Sequence, residues 1–213
     1  MKTRLSPPLS PEQAAELYGH MLDDILEATA EIAISLDLDA VLALHPVESC
    51  AELTQRVPTR FRVIAQRGSG LGERMARAVA EAGAAGAERI LLRGSDSPAL
   101  SHAHFDEALA GLDEHALVIS PDSDGGYGLV GMRTPHPGLF DHPMSTGTVL
   151  DETVSNAHRL GLGVKLLQRS FDLDRIEDLR ELAEARASGD ATNCPRTLAY
   201  LDGAGLWPRI SAQ

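Results

Sequence analysis

Short apolar segments that alternate with longer helical segments restrict the fold of this chain more than any other feature. The apolar segments predict strands at residues 40–44, 61–65, 90–92, 117–119, 127–131 and 164–167. The segments between and after them predict helices at residues 10–32, 72–82, 103–112, 148–160, 176–187 and 196–201. Strands that alternate with helices of this length predict an α/β fold, in which a mainly parallel sheet is covered by helices on both faces.

Local signals sharpen this pattern in three places. Ser10 can cap the first helix, Pro11 suits its first turn, and Gln13 completes a capping box. The continuous apolar run at residues 90–92 is typical of a strand buried on both faces. Residues 46–58 form the loosest stretch and predict a loop or a short helix.

Composition limits the size and the partners of the protein. The 213 residues fit one α/β domain, so we predict a single domain over residues 1–213. Hydrophobic residues make up 43% of the chain, which excludes a disordered protein. The net charge of -12 argues against nucleic acid as the main partner, because phosphate backbones require a basic surface. A nucleotide is still compatible, since a few backbone amides and one metal ion can hold a diphosphate.

The sequence predicts a cytoplasmic location. The opening MKTRLSPPLSP has no apolar segment behind its charges, and no apolar run approaches the length that spans a membrane. Cys50 and Cys194 lack the spacing of a metal or redox motif, which is typical of ordinary thiols in a reducing compartment.

Three polar segments follow predicted strands, where open parallel sheets bind their ligands. They are residues 93–98, residues 120–127 and residues 171–174. In the first segment, a glycine permits close approach of a ligand, and Asp96 offers a hard oxygen that suits Mg²⁺ or Mn²⁺. Carboxylates from the three segments could converge on one metal and neutralise charge on a leaving phosphate.

Each segment also has a purely structural interpretation. Residues 96–98 could be a turn and a helix cap, because Asp, Ser and Pro favour both. Residues 124–126 could be a hairpin turn, since Asp-Gly is the strongest short hairpin signal. Asp172 and Asp174 could serve only as acidic residues at a helix start. The joint placement of all three segments at strand ends favours a functional site.

Seven segments in order carry a family resemblance. They are KTRLSPPLSPEQAAELY from residue 2, GLGERM from 70, GSDSPAL from 94, SPDSDGGYGLVGM from 120, LF at 139, STGTVLDET from 145 and FDLDRIEDL from 171. Together they resemble the GT-A-like nucleotide-diphospho-sugar transferases, some of which are assigned to arsenosugar biosynthesis as glycosyltransferases. The chain is more distantly similar to the molybdenum-cofactor and phospholactate guanylyltransferases. The implied fold is GT-A-like and related to the Rossmann fold.

The resemblance also implies roles for particular residues. It makes Asp96 and Asp124 catalytic, and it assigns Mg²⁺ or Mn²⁺ to Asp96 and Asp174, with Asp172 as the alternative to Asp174. The implied nucleotide and phosphate contacts are Lys2, Arg4, Arg74, Gly94 and Ser95. The implied contacts with the sugar or the acceptor are Gly125, Gly126 and Tyr127.

The chain departs from the family pattern in two places. Members usually begin with an apolar strand and a Gly-rich turn before KTRL, whereas here Met1 directly precedes Lys2. We therefore expect the first family strand to be missing, and its absence would leave neighbouring strands without a partner. Either the start site lies further upstream or the chain is a trimmed form. Met144 also stands where the family commonly has Trp.

These observations support three functions. The first is a metal-dependent glycosyltransferase that uses a nucleotide sugar and a small-molecule acceptor. The second is a nucleotidyltransferase that joins a nucleotide, from a nucleoside triphosphate, to a small phosphorylated acceptor. The third is a trimmed, non-catalytic homologue. A zinc site at His102, His104 and Asp106 is a weaker alternative, because two histidines at a helix start usually face solvent.

Overall fold

The computed structural model describes residues 3–46, 48, 57–191 and 193–207. The α-helices in this part of the chain are α1 (Pro11–Ser35), α2 (Leu71–Ala84), α3 (His102–Glu114), α4 (Val149–Arg159), α5 (Leu179–Ser188) and α6 (Pro195–Gly203). The strands are β1 (Val41–Leu44), β2 (Arg62–Ala65), β3 (Ile90–Arg93), β4 (Leu117–Pro121), β5 (Tyr127–Met132) and β6 (Val164–Leu166). Short 3₁₀ helices cover Thr3–Leu5, Pro137–Phe140 and Ile176–Asp178. Most of the predicted loop at residues 46–58 lies outside the described residues.

Helix α1 begins as the sequence predicts. The Ser10 hydroxyl accepts the Gln13 amide at 3.2 Å, and the Gln13 side chain accepts the Ser10 amide at 3.0 Å. These reciprocal bonds satisfy two amides that the first helical turn leaves without partners. The helix continues three residues past the predicted end at Ile32, and its apolar face packs with α5 and α6 in one hydrophobic cluster.

The larger sheet has the strand order β3-β5-β4-β6. Strands β4 and β6 are parallel, as predicted, whereas β5 lies between β3 and β4 and runs antiparallel to both. The reversal has a local cause, because β4 and β5 form a hairpin that turns at residues 122–126. The Asp-Gly interpretation of this segment as a hairpin turn is therefore confirmed.

The smaller sheet consists of β1 and β2, which pair in parallel from Val41 with Arg62 to Leu44 with Ala65. Within the described ranges, no strand ladder joins this sheet to the larger one. Helices pack on both faces of the larger sheet: α2 and α4 contribute to one hydrophobic cluster, and α1 and α3 contribute to the other. The prediction of an α/β fold with helices on both faces is thus confirmed.

Helix α6 is tied to α1 by a buried carboxylate. Asp24 is 2% exposed and accepts the Thr197 amide at 2.8 Å, the Thr197 hydroxyl at 2.7 Å and the Arg196 amide at 3.1 Å. The Arg196 guanidinium also contacts this carboxylate at 3.5 Å. Asp24 therefore caps the first turn of a helix that lies far away in sequence.

None of the helices in the described part of the chain is both long and apolar enough to cross a membrane.

Candidate active site

Three polar loops meet at one edge of the larger sheet. They are residues 94–98 after β3, the β4–β5 hairpin turn at residues 122–126, and residues 168–175 after β6. Because β5 is antiparallel, the end of β4 and the start of β5 lie at the same edge as the end of β3. The Gly94 amide donates to the Gly128 carbonyl at 2.9 Å, which fixes the first loop beside the hairpin. The fold therefore brings together the three segments that the sequence indicates.

Asp122 lies at the centre of this junction. Its side chain is buried, with 7% of the residue exposed. The Ser170 hydroxyl donates a hydrogen bond to one carboxylate oxygen, and the Ser97 hydroxyl contacts the other at 3.5 Å. One carboxylate from the hairpin thus contacts both flanking loops.

Gly128 provides the space for this arrangement. A Cβ atom at this position would lie 2.6 Å from the Ser170 hydroxyl oxygen and 2.7 Å from that of Ser97. Neither separation is possible without movement of a serine, so any larger side chain would displace the groups that contact Asp122.

A backbone hydrogen bond joins the first and third loops. The Leu173 amide donates to the Asp96 carbonyl at 2.8 Å, so the chain around Asp96 lies directly beside the chain around Asp174. Both aspartates are half-buried, and Asp174 also pairs with Arg4 at 3.8 Å. These two segments meet as the predicted metal site requires, while the assignment of metal to them stays a prediction.

Negative charge accumulates at this junction. Burial, together with the charge of Asp124, raises the pKa of Asp122 to about 6. Burial and the charges of Asp124, Asp174 and Asp122 raise the pKa of Asp172 to about 7. Burial also raises the pKa of Asp178, although the amides of Asp174 and Arg175 donate to its carboxylate. The cluster is therefore electrostatically strained near neutral pH.

Asp124 serves the hairpin turn and is exposed to solvent as well. One of its carboxylate oxygens accepts the Gly126 amide at 2.8 Å. The next residue, Gly125, has φ +89°, and a Cβ there would lie 2.2 Å from the Gly147 carbonyl oxygen. Glycine is required at this position by both backbone conformation and space. The predicted catalytic role of Asp124 and the substrate contacts of Gly125 and Gly126 stay predictions.

Tyr127 is the first residue of β5 and directly follows the hairpin turn. Its side chain packs against the hydrophobic cluster that includes α2 and α4, and its hydroxyl lies 3.4 Å from the hydroxyl of Thr153 on α4. Burial raises the pKa of this phenol. The side chain thus has a packing role, and its predicted contact with substrate stays a prediction.

The predicted phosphate-binding residues lie in different places. Gly94 and Ser95 are exposed on the first loop, and Arg4 is exposed beside Asp174. Arg74 lines a cleft between α2 and the carboxyl ends of β1 and β2, where its Nε atom is buried and has no hydrogen-bond partner among the described residues. Lys2 lies outside the described residues.

The arrangement of the two histidines at the start of α3 contradicts the zinc alternative. The His102 ring contacts Asp106 at 2.7 Å and the Ser35 hydroxyl at 2.9 Å. The His104 ring instead contacts the Ser101 hydroxyl at 3.0 Å and is buried. The two rings therefore serve separate hydrogen-bond networks and do not share a ligand position.

Sequence reasoning missed the residues that hold the loops together, which are Ser97, Asp122 and Ser170. Asp122 and Ser97 lie inside predicted polar segments, whereas Ser170 directly precedes one. The local signal for Asp122 is its position at the end of β4, a strand in which every residue is buried. Its contact with Ser170 spans 48 positions, which no local pattern reveals.

Comparison with known proteins places this chain in a family. Residues 28–146 match the family described as an uncharacterized protein conserved in bacteria, DUF2064. The match spans more than half of the chain. This protein belongs to the DUF2064 family. The matched residues include the loop after β3 and the whole β4–β5 hairpin, which carry Asp96, Asp122 and Asp124.

Two comparisons with individual proteins cover most of this chain. The DUF2064 chain is 27% identical to a phosphoenolpyruvate guanylyltransferase from Sphaerobacter thermophilus over 187 residues, which cover 85% of this chain and 86% of the relative. It also resembles a crystal structure from Desulfovibrio desulfuricans G20, provisionally assigned as a nucleotide-diphospho-sugar transferase. That match has a TM-score of 0.79 and 28% identity, and it covers 95% of this chain and 91% of the other.

A third comparison concerns the fold alone. The bifunctional IspDF protein from Campylobacter jejuni matches with a TM-score of 0.54 and 10% identity over 76% of this chain and 46% of that chain. The match with a TM-score of 0.79 shows that the fold of the DUF2064 protein is that of the nucleotide-diphospho-sugar transferases, as the sequence resemblance implied.

Proposed function

We propose that this DUF2064 protein is a metal-dependent transferase that acts on a nucleotide-diphospho-sugar. The observation that carries the proposal is the meeting of three carboxylate-bearing loops at one sheet edge. Burial and mutual repulsion hold the pKa values of Asp122 and Asp172 near neutrality. A divalent cation at this edge would relieve the repulsion and would allow the carboxylates to be ionised together.

Asp96 and Asp174 are the residues that would hold Mg²⁺ or Mn²⁺. The bond from the Leu173 amide to the Asp96 carbonyl brings their chain segments together. Among the described residues, no three or more His, Cys, Asp or Glu side chains form a group that could hold a metal. Two carboxylates still suit Mg²⁺, which is usually held by one or two of them together with substrate phosphates. When bound, the cation would neutralise charge on the leaving phosphate.

The surrounding residues would bind the rest of the substrate. The exposed backbone of Gly94 and Ser95 would allow a phosphate to approach closely. The Arg4 side chain is 62% exposed beside Asp174, from where it could contact the same phosphates. Arg74 would add a phosphate contact from the cleft beside β2, and Asp124 with Gly125 and Gly126 would face the sugar or the acceptor.

Nucleotidyl transfer is the second candidate, and a specific finding favours it. The relative from Sphaerobacter thermophilus is named a guanylyltransferase and aligns with most of this chain. The same carboxylates and cation would serve either reaction, because both break a bond to a phosphate group. The two reactions differ in their products: glycosyl transfer releases a nucleoside diphosphate, whereas nucleotidyl transfer releases pyrophosphate.

Product analysis tests the proposal. The protein would be incubated with UDP-sugars or GDP-sugars, and separately with GTP or CTP plus phosphorylated acceptors, each with and without Mn²⁺. We expect metal-dependent release of nucleoside diphosphate from a sugar nucleotide. Release of pyrophosphate instead would support the second candidate. If neither product forms and no nucleotide shifts the melting temperature with metal, the non-catalytic alternative would replace both.

A further inference from the structure

We infer that Asp122 is a positioning residue, which holds the loops carrying Asp96 and Asp174 at a fixed separation. The importance of this role for metal binding rests on the proposed function. The effect of Asp122 on the two loops can be tested without metal or substrate. It assigns a role to a buried carboxylate that is separate from the proposed metal ligands.

Both carboxylate oxygens of Asp122 contact serine hydroxyls. Ser170 donates to one oxygen, and the Ser97 hydroxyl contacts the other at 3.5 Å. Ser97 directly follows Asp96, and Ser170 lies four residues before Asp174. Asp122 therefore connects the two loops close to Asp96 and Asp174, the proposed metal ligands.

The serines are themselves fixed by the backbone. The Ser170 amide donates to the Pro121 carbonyl at 2.9 Å, which extends the pairing of β4 with the chain after β6. The Arg93 guanidinium donates to the Ser97 carbonyl at 2.7 Å and to the Thr29 hydroxyl at 2.6 Å. Because these anchors hold the backbone of both serines, their bonds to Asp122 constrain the loops and not merely two mobile hydroxyls.

Asp122 is better suited to this role than to binding the cation. It is 7% exposed, and its two oxygens are directed to the two serines. Gly128 leaves just enough room for the serines, so the arrangement is closely packed. A buried partner that orients the groups around a metal typically changes metal affinity by about 10- to 100-fold when it is removed.

Two substitutions separate position from charge. Asp122→Asn keeps the shape and can still hydrogen-bond both serines, whereas Asp122→Ala removes both contacts. For Asp122→Ala we expect the Mn²⁺ concentration for half-maximal binding, in the presence of a nucleotide, to rise about tenfold or more. For Asp122→Asn we expect a rise within about threefold, because the contacts are retained.

Amide hydrogen exchange gives a readout that needs no ligand. The Leu173 amide bonds to the Asp96 carbonyl, so its exchange reports directly on separation of the two loops. Its rate is compared with that of the Val118 amide in the centre of the sheet. We expect Asp122→Ala to accelerate Leu173 about tenfold relative to Val118, and Asp122→Asn to leave the ratio unchanged within about threefold.

Asp24→Ala is the matched control, since Asp24 is also a buried aspartate that joins distant segments. It should lower global stability, which accelerates the Val118 amide through global unfolding, but it should not raise the Leu173 rate relative to the Val118 rate or change the Mn²⁺ affinity of the folded protein. If Asp122→Ala does not fold, Ser170→Ala carries the same expectation, because it removes the contact between Asp122 and the loop after β6.

Two results would overturn the positioning role of Asp122. The first is an unchanged ratio of the Leu173 to the Val118 exchange rate in Asp122→Ala, or in Ser170→Ala if Asp122→Ala does not fold. The second is an equal loss of Mn²⁺ affinity in Asp122→Asn and Asp122→Ala while the exchange ratio in Asp122→Asn stays unchanged. In that case the charge of Asp122, and not its contacts with the serines, would determine Mn²⁺ binding. If the unaltered protein binds no Mn²⁺ with any nucleotide, the proposed function fails, while the exchange ratios still decide the role of Asp122.

Discussion

Two buried aspartates of this protein have opposite surroundings. Asp24 accepts two backbone amides and one hydroxyl, and it contacts the Arg196 guanidinium. Asp122 is nearly as buried, but among the described residues only hydroxyls donate to its carboxylate, and its nearby charges are the carboxylates of Asp124 and Glu181. The negative charge of the Asp24 carboxylate is therefore balanced by its partners, whereas that of the Asp122 carboxylate is not.

The two surroundings predict different roles for the two aspartates. A buried carboxylate with amide and cationic partners strengthens the packing of α1 and α6. A buried carboxylate among other acidic groups costs free energy in the isolated protein, and a cationic ligand could recover that cost. The junction at the sheet edge therefore resembles a binding site, and the α1–α6 contact resembles a structural clamp.

Asp24→Ala should have the largest effect on stability. It leaves the Thr197 amide and hydroxyl and the Arg196 amide without their acceptor, so we expect a loss of about 3 kcal/mol in the free energy of unfolding. Urea denaturation followed by circular dichroism measures this change. The exposed Asp39→Ala should change stability by less than about 0.5 kcal/mol. Equal losses of stability in Asp24→Ala and Asp39→Ala would show that the buried contacts of Asp24 do not stabilise the packing of α1 against α6.

Gly128→Ala should affect both stability and the site. The added Cβ would collide with the hydroxyls of Ser97 and Ser170, so we expect a loss of about 2 kcal/mol and weaker binding of metal with nucleotide. Gly163→Ala is the control, because a Cβ at that exposed position meets no atom within 4 Å. Thermal unfolding and Mn²⁺ titration measure the two effects. A Gly128→Ala variant with unaltered stability and binding would show that the junction is loosely packed.

The pH dependence of stability should be smaller but specific. Asp122 has a folded pKa of about 6, above its ordinary value of 3.8, so its protonated form stabilises the fold below about pH 4 and this contribution is lost as pH rises through 6. Between about pH 5 and pH 7 we expect the metal-free protein to lose about 1 kcal/mol through this group.

Comparison with Asp122→Asn isolates this contribution. The raised pKa of Asp172 adds a loss of the same sign at slightly higher pH, and that loss should persist in the variant. Urea denaturation in metal-free buffer at several pH values measures the difference. Identical pH slopes for the variant and the unaltered protein would mean that Asp122 does not titrate in this range.

Much of the fold could be predicted from local patterns. The capping box of α1 and all six strands follow from residue types within a few positions of each other. The direction of β5 could not be decided in this way, because the same apolar run can pair in parallel or antiparallel. The signal for a hairpin was the Asp124-Gly125 pair, which was also consistent with a substrate-binding loop.

The candidate site was only partly accessible to sequence reasoning. Asp96, Asp124 and Asp174 could be proposed because each follows a predicted strand. Asp122 and Ser170 could not be paired, because their contact depends on the parallel alignment of β4 and β6 and leaves no mark on nearby residues. The resemblance placed Arg74 among the phosphate contacts, but only the structure shows that it lies in the cleft between α2 and the carboxyl ends of β1 and β2.

Binding of Mn²⁺, measured by electron paramagnetic resonance with UDP or GDP present, decides whether the loop after β3 holds a cation. We expect the unaltered protein to bind Mn²⁺ together with a nucleotide, and a folded Asp96→Ala variant to lose this binding while Asp39→Ala retains it. Mn²⁺ binding of undiminished affinity in Asp96→Ala would rule out Asp96 as a metal ligand, because the cation would then be held without the loop after β3.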